Sequence, residues 1–489
     1  MSRHLRNPYF LFLLPLFFVT HISSENPGLV SFTLGGSIFL EFSLIGLLLS
    51  FLFWLIIKDF RKAALVALFI VGFDIFFGSL YDFFNKHFIG AWFLKYTVII
   101  GGTLLIIALL VIYLKWTSKK FHTTIQFLNM LLIILIAIDL VKLATFSTKM
   151  KEPIVMDLSD KLVKCDTCNK PDIYLLITDG YAGDTSLREY FNFDNSAFTS
   201  ALKQRGFYVV NNPRSNYNFT VYTIASMFSM DYIHELDKGK NVTQQDIYLS
   251  RDLISKNNFT EYLKSNGYEI QNYSFMNPGG SKSKIRLSYF PPKRALFTSQ
   301  TFLNRFTRGA GYHFPFYTKL FYSNIRNSEY NNRVMDSLIR ENAGKRHPAP
   351  RFIFSQLILP HHPYYYDSVG NRRLSLDQSP NVEQEKKDYV QYVVYTNKKL
   401  LSLIDHILSN SSRPPIIMLM SDHGYRRFAG KQYNDFQFMT LNTVYMPDSN
   451  YAGFYDGMSN VNQMRVLLNS QFRQQLPLLK DSSSFLIEP

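Results

Sequence analysis

Ile416-Ile417-Met418-Leu419-Met420-Ser421-Asp422-His423-Gly424 decides the fold. An apolar run of strand length delivers an Asp-His pair to its carboxyl end, and a glycine follows at once. Asp172-Ile173-Tyr174-Leu175-Leu176-Ile177-Thr178-Asp179-Gly180 repeats the pattern, a buried strand ending in a carboxylate. Asn216-Tyr217-Asn218-Phe219-Thr220 precedes a helix-like segment and offers a hydroxyl. Reactive groups of open α/β sheets collect beyond the carboxyl ends of the strands. Two carboxylates, an imidazole and a hydroxyl meeting there define a divalent-metal site with an activated nucleophile.

Around these strands, helix-like and strand-like stretches alternate. Helices are expected at 194–205, 221–232, 259–264 and 383–409, and strands at 172–178, 206–210, 267–270, 352–359 and 416–420. That alternation predicts an α/β domain with a mainly parallel sheet sandwiched by helices. Residues 275–330, rich in aromatic and basic side chains, read as irregular surface or substrate-facing structure.

The first 147 residues differ in kind. Apolar runs at 8–22, 34–57, 63–81, 94–114 and 122–146 read as five membrane spans, because about 20 apolar residues match the hydrocarbon thickness. The first run is short and carries Pro15, so a signal peptide competes; its polar end, Val19-Thr20-His21, lacks the small-residue cleavage pattern. Arg3 and Arg6, then Lys58, Arg61 and Lys62, then Lys115, Lys119 and Lys120 fall on one side of the spans. The positive-inside rule therefore expects a cytoplasmic N-terminus in a plasma (inner) membrane and everything after span five outside, in the periplasm. The domains are expected at 1–147 (five spans), 148–170 (linker) and 171–489 (catalytic).

Asp74 lies inside span three, and Asp139 and Lys142 sit one turn apart on span five. Intramembrane charges are costly and often functional, yet an ion pair and an interior hydrogen bond also account for them. Cys165 and Cys168 are the only cysteines; a local disulfide is expected outside the cytoplasm, with free thiols or a metal or redox role as alternatives. The net charge of +15 is partly the topology signal, and its excess suits anionic headgroups or a phosphate-bearing substrate. No nucleic-acid motif accompanies it.

At Asp179, Thr220, Asp422 and His423 the chain resembles the alkaline phosphatase and sulfatase superfamily. It is most similar to the membrane-bound branch, the lipoteichoic acid synthases and lipid A phosphoethanolamine transferases, which also place five spans before an extracytoplasmic catalytic domain. Ser421-Asp422-His423-Gly424 is similar to that family's metal-binding motif, and Asp179 falls where its first strand ends in an acidic ligand. Thr223-Ile224-Ala225-Ser226-Met227-Phe228-Ser229 resembles the segment after the nucleophilic threonine. Counting back selects Thr220, with Thr223 the rival. Leu359-Pro360-His361-His362-Pro363-Tyr364 resembles a His-x-Pro element, which selects His361 over His362 as the phosphate contact. Arg426 is a candidate anion-binding group or a surface charge. Asn218-Phe219-Thr220 also reads as a glycosylation acceptor.

The resemblance implies a metal set of Asp179, Thr220, Asp422 and His423, catalytic roles for Thr220 and His361, and substrate binding by His361 and Arg426. Residues 424–489 contain no histidine, so the downstream ligand of two-zinc phosphatases is missing and one divalent ion, zinc or manganese, is implied. The formylglycine element of sulfatases is also missing. The implied function is transfer of a phospho-alcohol group, of phosphoethanolamine or phosphoglycerol type, to a cell-envelope glycan or lipid through a phospho-threonine. Its partner would be a membrane lipid or lipid-linked glycan. The alternatives are a phosphate or sulfate ester hydrolase of the same fold, and a catalytically silent envelope binding or assembly protein.

Overall fold

The computed structural model describes residues 3–26, 29–88, 90–148, 155–234, 236, 240–285, 293–310, 328–373 and 381–487. The chain divides into two compact units, Met1–Lys151 with Pro291–Ser323, and Glu152–Phe290 with Asn324–Pro489.

In the first unit the helices Phe32–Ile57, Phe60–His87, Tyr96–Trp116 and His122–Thr148 are each long and apolar enough to cross a membrane. Helix Phe10–Glu25, read as the first span, has 16 residues, a rise of about 24 Å against a hydrocarbon core of about 30 Å. The charges read from the sequence have partners. Asp139 accepts from Ser24 Oγ at 3.0 Å and lies 3.3 Å from His21 Nδ1, while Lys142 pairs with Glu25 at 3.2 Å. All three contacts tie helix His122–Thr148 to helix Phe10–Glu25.

Residues 291–323 depart from the sequence reading. Their described part, 293–310, forms helices Ala295–Thr298 and Phe302–Ala310 that pack in the first unit, where irregular surface or substrate-facing structure was expected and only the irregularity is overturned; 286–292 and 311–327 lie outside the described residues. Asp74 accepts from the Leu303 amide at 3.0 Å, Asp82 receives Arg305 at 2.6 and 2.7 Å, and Glu41 pairs with Arg294. Gly78 makes room: its amide donates to Gln300 O at 2.8 Å, and a Cβ there would stand 2.6 Å from that same oxygen. Phe302 closes the contact against Phe73 and Phe77.

The second unit is the expected α/β sandwich. Its strands are β1 (Ile173–Asp179), β2 (Tyr208–Val209), β3 (Lys240–Asn241), β4 (Glu269–Tyr273), β5 (Arg351–Pro360), β6 (Ile416–Ser421), β7 (Asn442–Tyr445) and β8 (Leu486–Ile487). Six form one sheet in the order β2-β7-β6-β1-β5-β4, parallel from β6 to β4, with β7 antiparallel to both of its neighbours. Alternate side chains of the central strands enter opposite layers, as a pleated sheet requires. Ile173, Leu175 and Ile177 join Met418, Met420 and the helices Thr220–Ser229 and Asn460–Phe472 on one face. Tyr174 and Leu176 join Ile417, Leu419 and the helices Ser328–Ala343 and Val382–Asn410 on the other. The linker is not a free tether from 155 onward: Met156 N donates to Asp231 at 2.8 Å and Val163 N to Gln474 at 2.9 Å. Cys165 and Cys168 are disulfide-bonded within it.

At the end of the sheet away from the reactive groups, Arg351 and Asp172 form a buried pair, 1% and 4% exposed, joined by Nη2 at 2.5 Å and Nε at 3.0 Å. Arg351 also donates to Asn342 O at 3.0 Å, so the guanidinium is well satisfied. Asp172→Ala should leave that cation buried without its counter-charge and cost about 3–5 kcal/mol in denaturant unfolding. The double change Asp172→Leu with Arg351→Met should recover most of the loss. A single variant as stable as the parent would deny the pair its structural role.

Candidate metal centre and active site

Parallel register brings the two carboxylates together. Thr178 on β1 stands opposite Ser421 on β6, so the next residues, Asp179 and Asp422, emerge side by side at the carboxyl edge. On the other flank the register slips after Thr178 and sets Asp179 opposite Pro360, the last residue of β5, so His361 follows at the same edge.

Asp422 is fully buried and held by Gly180 N at 3.1 Å and His423 N at 2.8 Å, both donating to Oδ1. Its Oδ2 accepts from Thr220 Oγ1 at 2.6 Å. His423 Nδ1 lies 2.7 Å from Gly424 O, so it carries the proton and the Nε2 lone pair faces inward. That Nε2 lies 3.6 Å from Asp179 Oδ1, 3.7 Å from Asp422 Oδ2 and 3.5 Å from Thr220 Oγ1. Asp179 Oδ1 is buried and has no hydrogen-bond partner among the described residues.

The electrostatics of this group are set by burial and by its two neighbouring carboxyls. Burial, then the charge of Asp422, pushes the Asp179 carboxyl well above its usual range, and burial raises Asp422 too. Burial, then the Arg426 guanidinium, holds His423 well below the usual imidazole range. Two carboxylates and a neutral imidazole, with ligand atoms all within 4.8 Å of one another, suit a divalent cation, which would supply the missing counter-charge. The residues present fit the implied metal.

Thr220 opens helix Thr220–Ser229, and no side chain caps that end. Its Oγ therefore sits where unsatisfied amides and the helix dipole favour negative charge. The rival Thr223 is fully buried and its hydroxyl donates to Tyr217 O at 2.9 Å. Asn218 is no glycosylation acceptor: it is 2% exposed, and its amide is bound at both ends by Leu486 and Gln437.

A cavity of about 390 Å³ opens beside this group, lined among others by His361, His362, His423, Arg426, Arg427 and Gln437. His361 Nδ1 lies 2.6 Å from His362 O, leaving Nε2 to the cavity, and burial lowers its basicity. Arg426 places its guanidinium 4.5 Å over the Phe219 ring, one residue before Thr220. Two glycines make the edge possible. Gly180 adopts a φ of 71° as the chain leaves β1, and its carbonyl accepts from Tyr389 OH at 2.8 Å. At Gly424 a Cβ would stand 2.4 Å from Met439 O and 2.6 Å from Phe436 O.

Arg427, Glu385 and Gln437 went unread in the sequence. Glu385, in the first turn of helix Val382–Asn410, accepts from Tyr364 OH and Tyr425 OH at 3.0 Å each and pairs with Arg427 at 2.9 Å. The arginine following Arg426 was the one available signal.

The fold and site together define an α/β protein with a buried Asp-Asp-His group able to hold a divalent cation and a hydroxyl at a helix N-terminus beside it. No protein-family model matches the chain, and no curated protein matches it. Among solved structures it is similar to the C-terminal periplasmic domain of EcEptC from Escherichia coli, at 15% identity over 66% of this chain and 90% of that one, TM-score 0.41. It is similar to the periplasmic domain of the phosphoethanolamine transferase EptC from Campylobacter jejuni, at 14% identity, 63% and 91% coverage, TM-score 0.36. It is also similar to the phosphonate monoester hydrolase SpPMH from Silicibacter pomeroyi, at 14% identity, 64% and 76% coverage, TM-score 0.40.

Proposed function

We propose that this protein is a membrane-bound enzyme of the alkaline phosphatase and sulfatase superfamily. In this reading it transfers a phospho-alcohol group, of phosphoethanolamine or phosphoglycerol type, from a lipid to a cell-envelope glycan or lipid. The observation that carries it is the Thr220 hydroxyl, 2.6 Å from Asp422 and 3.5 Å from His423, at the start of a helix and beside a cationic cavity. A divalent ion held by Asp179, Asp422 and His423, zinc or manganese, would acidify that hydroxyl and offset charge on the ester oxygens.

Thr220 attacks phosphorus, its proton leaving along the hydrogen bond to Asp422. An anionic ester favours a proton on His361 Nε2, which passes to the departing lipid oxygen as its bond to phosphorus breaks. The acceptor hydroxyl then attacks the phospho-threonine and gives its proton to the same Nε2. The Thr220 oxygen leaves phosphorus and recovers its own proton. Arg426 and the helix N-terminus hold the phosphoryl oxygens.

Four long apolar helices support a lipid donor. With helix Phe10–Glu25 crossing as a fifth span, the Lys/Arg-rich loops support a cytoplasmic N-terminus and the catalytic unit outside. Full-length protein in detergent, given phosphatidylethanolamine or phosphatidylglycerol, should release diacylglycerol. Hydrolysis of aryl phosphates or aryl sulfates with no diacylglycerol would replace the transferase by a hydrolase. A stable protein that binds no metal and turns over none of these would support the silent binding role.

A further inference from the structure

We infer that Gln437 is a substrate-contacting residue of the active site: its side-chain amide nitrogen donates to an oxygen of the bound phosphate or sulfate ester. The inference rests on the ester-processing reading above and adds a residue to it.

The argument is one of hydrogen-bond direction. An amide side chain presents an acceptor at one end and a donor at the other, and its orientation is fixed only by its partners. Here the partners start from backbone, where no choice exists. The Leu486 amide can only donate, and it donates to Asn218 Oδ1 at 2.9 Å. Asn218 Nδ2 must then face the other way, where it donates to Leu486 O at 3.1 Å and to Gln437 Oε1 at 3.2 Å. Gln437 has thus given its acceptor end to Asn218, leaving Nε2 as its remaining end. That nitrogen has no protein acceptor among the described residues, and it is not sealed in the interior either. Gln437 lines the cavity that holds His361, His423 and Arg426, and it is 8% exposed.

The backbone of Gln437 is tied to the same edge, since its carbonyl accepts from Gly424 N at 2.7 Å, one residue past His423. Carbonyl and side chain are therefore both anchored, one to the metal-ligand loop and one to β8 through Asn218. An unbonded donor on a residue that is held from two sides and lines a cavity with cationic walls is preorganised for an anion's oxygen. Asn218 is a positioning residue in this scheme, because it acts only through Gln437.

The test uses full-length protein in detergent with bis(p-nitrophenyl) phosphate and p-nitrophenyl sulfate as probes, and inorganic phosphate as the competing anion. Gln437→Glu puts an acceptor where the donor stood, and Gln437→Met removes the polar end at similar length. Both should lower kcat/KM by about 100-fold, the range for one lost oxyanion donor, and weaken phosphate inhibition, with metal content unchanged and, for Gln437→Glu, which keeps the acceptor for Asn218, the thermal midpoint unchanged as well. Gln437→His should keep part of the rate. Asn218→Asp, which can no longer donate to Gln437, should raise KM for the faster probe more than it lowers kcat. Variants at 437 within twofold of the parent in rate and phosphate affinity would overturn the inference and leave the parent reading intact. A parent that processes neither ester, binds no phosphate and releases no diacylglycerol from phosphatidylethanolamine or phosphatidylglycerol would overturn both.

Discussion

Thr220→Ala should abolish turnover while the protein keeps its metal. Loss of a covalent nucleophile typically removes about 10⁴–10⁶-fold in kcat, because the residual rate then comes from binding and electrostatics alone. The side chain is small and opens its helix without capping it, so the fold should tolerate the change. Asp179, Asp422 and His423 remain, and metal analysis should still find about one equivalent bound. Thr220→Ser should retain measurable activity and trap a phospho-serine when the acceptor is withheld. Full activity in the alanine variant would exclude Thr220 as nucleophile, and with it the two-step route.

Asp179→Asn should act in opposite directions on metal binding and on metal-free stability. Asp179 supplies a buried oxygen with no hydrogen-bond partner, beside a second buried carboxylate. Its carboxyl is raised above the ordinary value, so its protonated form is the one the metal-free fold prefers. The stabilisation from that protonation is complete below the unfolded value of about 3.8 and is lost as pH rises through the raised folded value. At pH 7, far above the unfolded value, the metal-free fold bears the cost of burying this carboxyl, as a charge or as a proton taken up, and asparagine removes that cost. Chelator-treated Asp179→Asn should melt above chelator-treated parent at pH 7, and below the metal-loaded parent. It should bind no stoichiometric metal. A variant that still binds one equivalent would remove Asp179 from the ligand set.

The elements legible in the sequence are those whose signal is local. β1 and β6 announce themselves as apolar runs ending in acids, and the parallel register that sets Asp179 beside Asp422 follows from their central place in the sheet. β7 was not legible: Asn442 and Thr443 are polar yet buried, so no apolar run marks the strand. β8 is two residues long, and its tie to Asn218 spans 268 positions. Gln437 and Asn218 were hidden for the same reason, each defined by a partner more than two hundred residues away. Segment 293–310 misled by composition. Its arginines suggest a surface, but Arg294 and Arg305 have their counter-charges in Glu41 and Asp82, on apolar helices. Asp74 stood out as a charge within a span, and nothing around it in sequence could name Leu303 as its partner.

The returning segment has a consequence for how the protein is made. Asp82 and Arg305 are 223 positions apart. At about 5–20 residues per second, synthesis leaves roughly 10–40 s in which helix Phe60–His87 exists before its partners have been translated. Through that interval Asp74 and Asp82 have neither the Leu303 amide nor Arg305, and the notch at Gly78 awaits Gln300. Completion of the first unit is thus tied to translation well into the second. Nascent chains stalled before residue 293 should expose helix Phe60–His87 to crosslinkers that chains stalled well beyond residue 310 no longer meet.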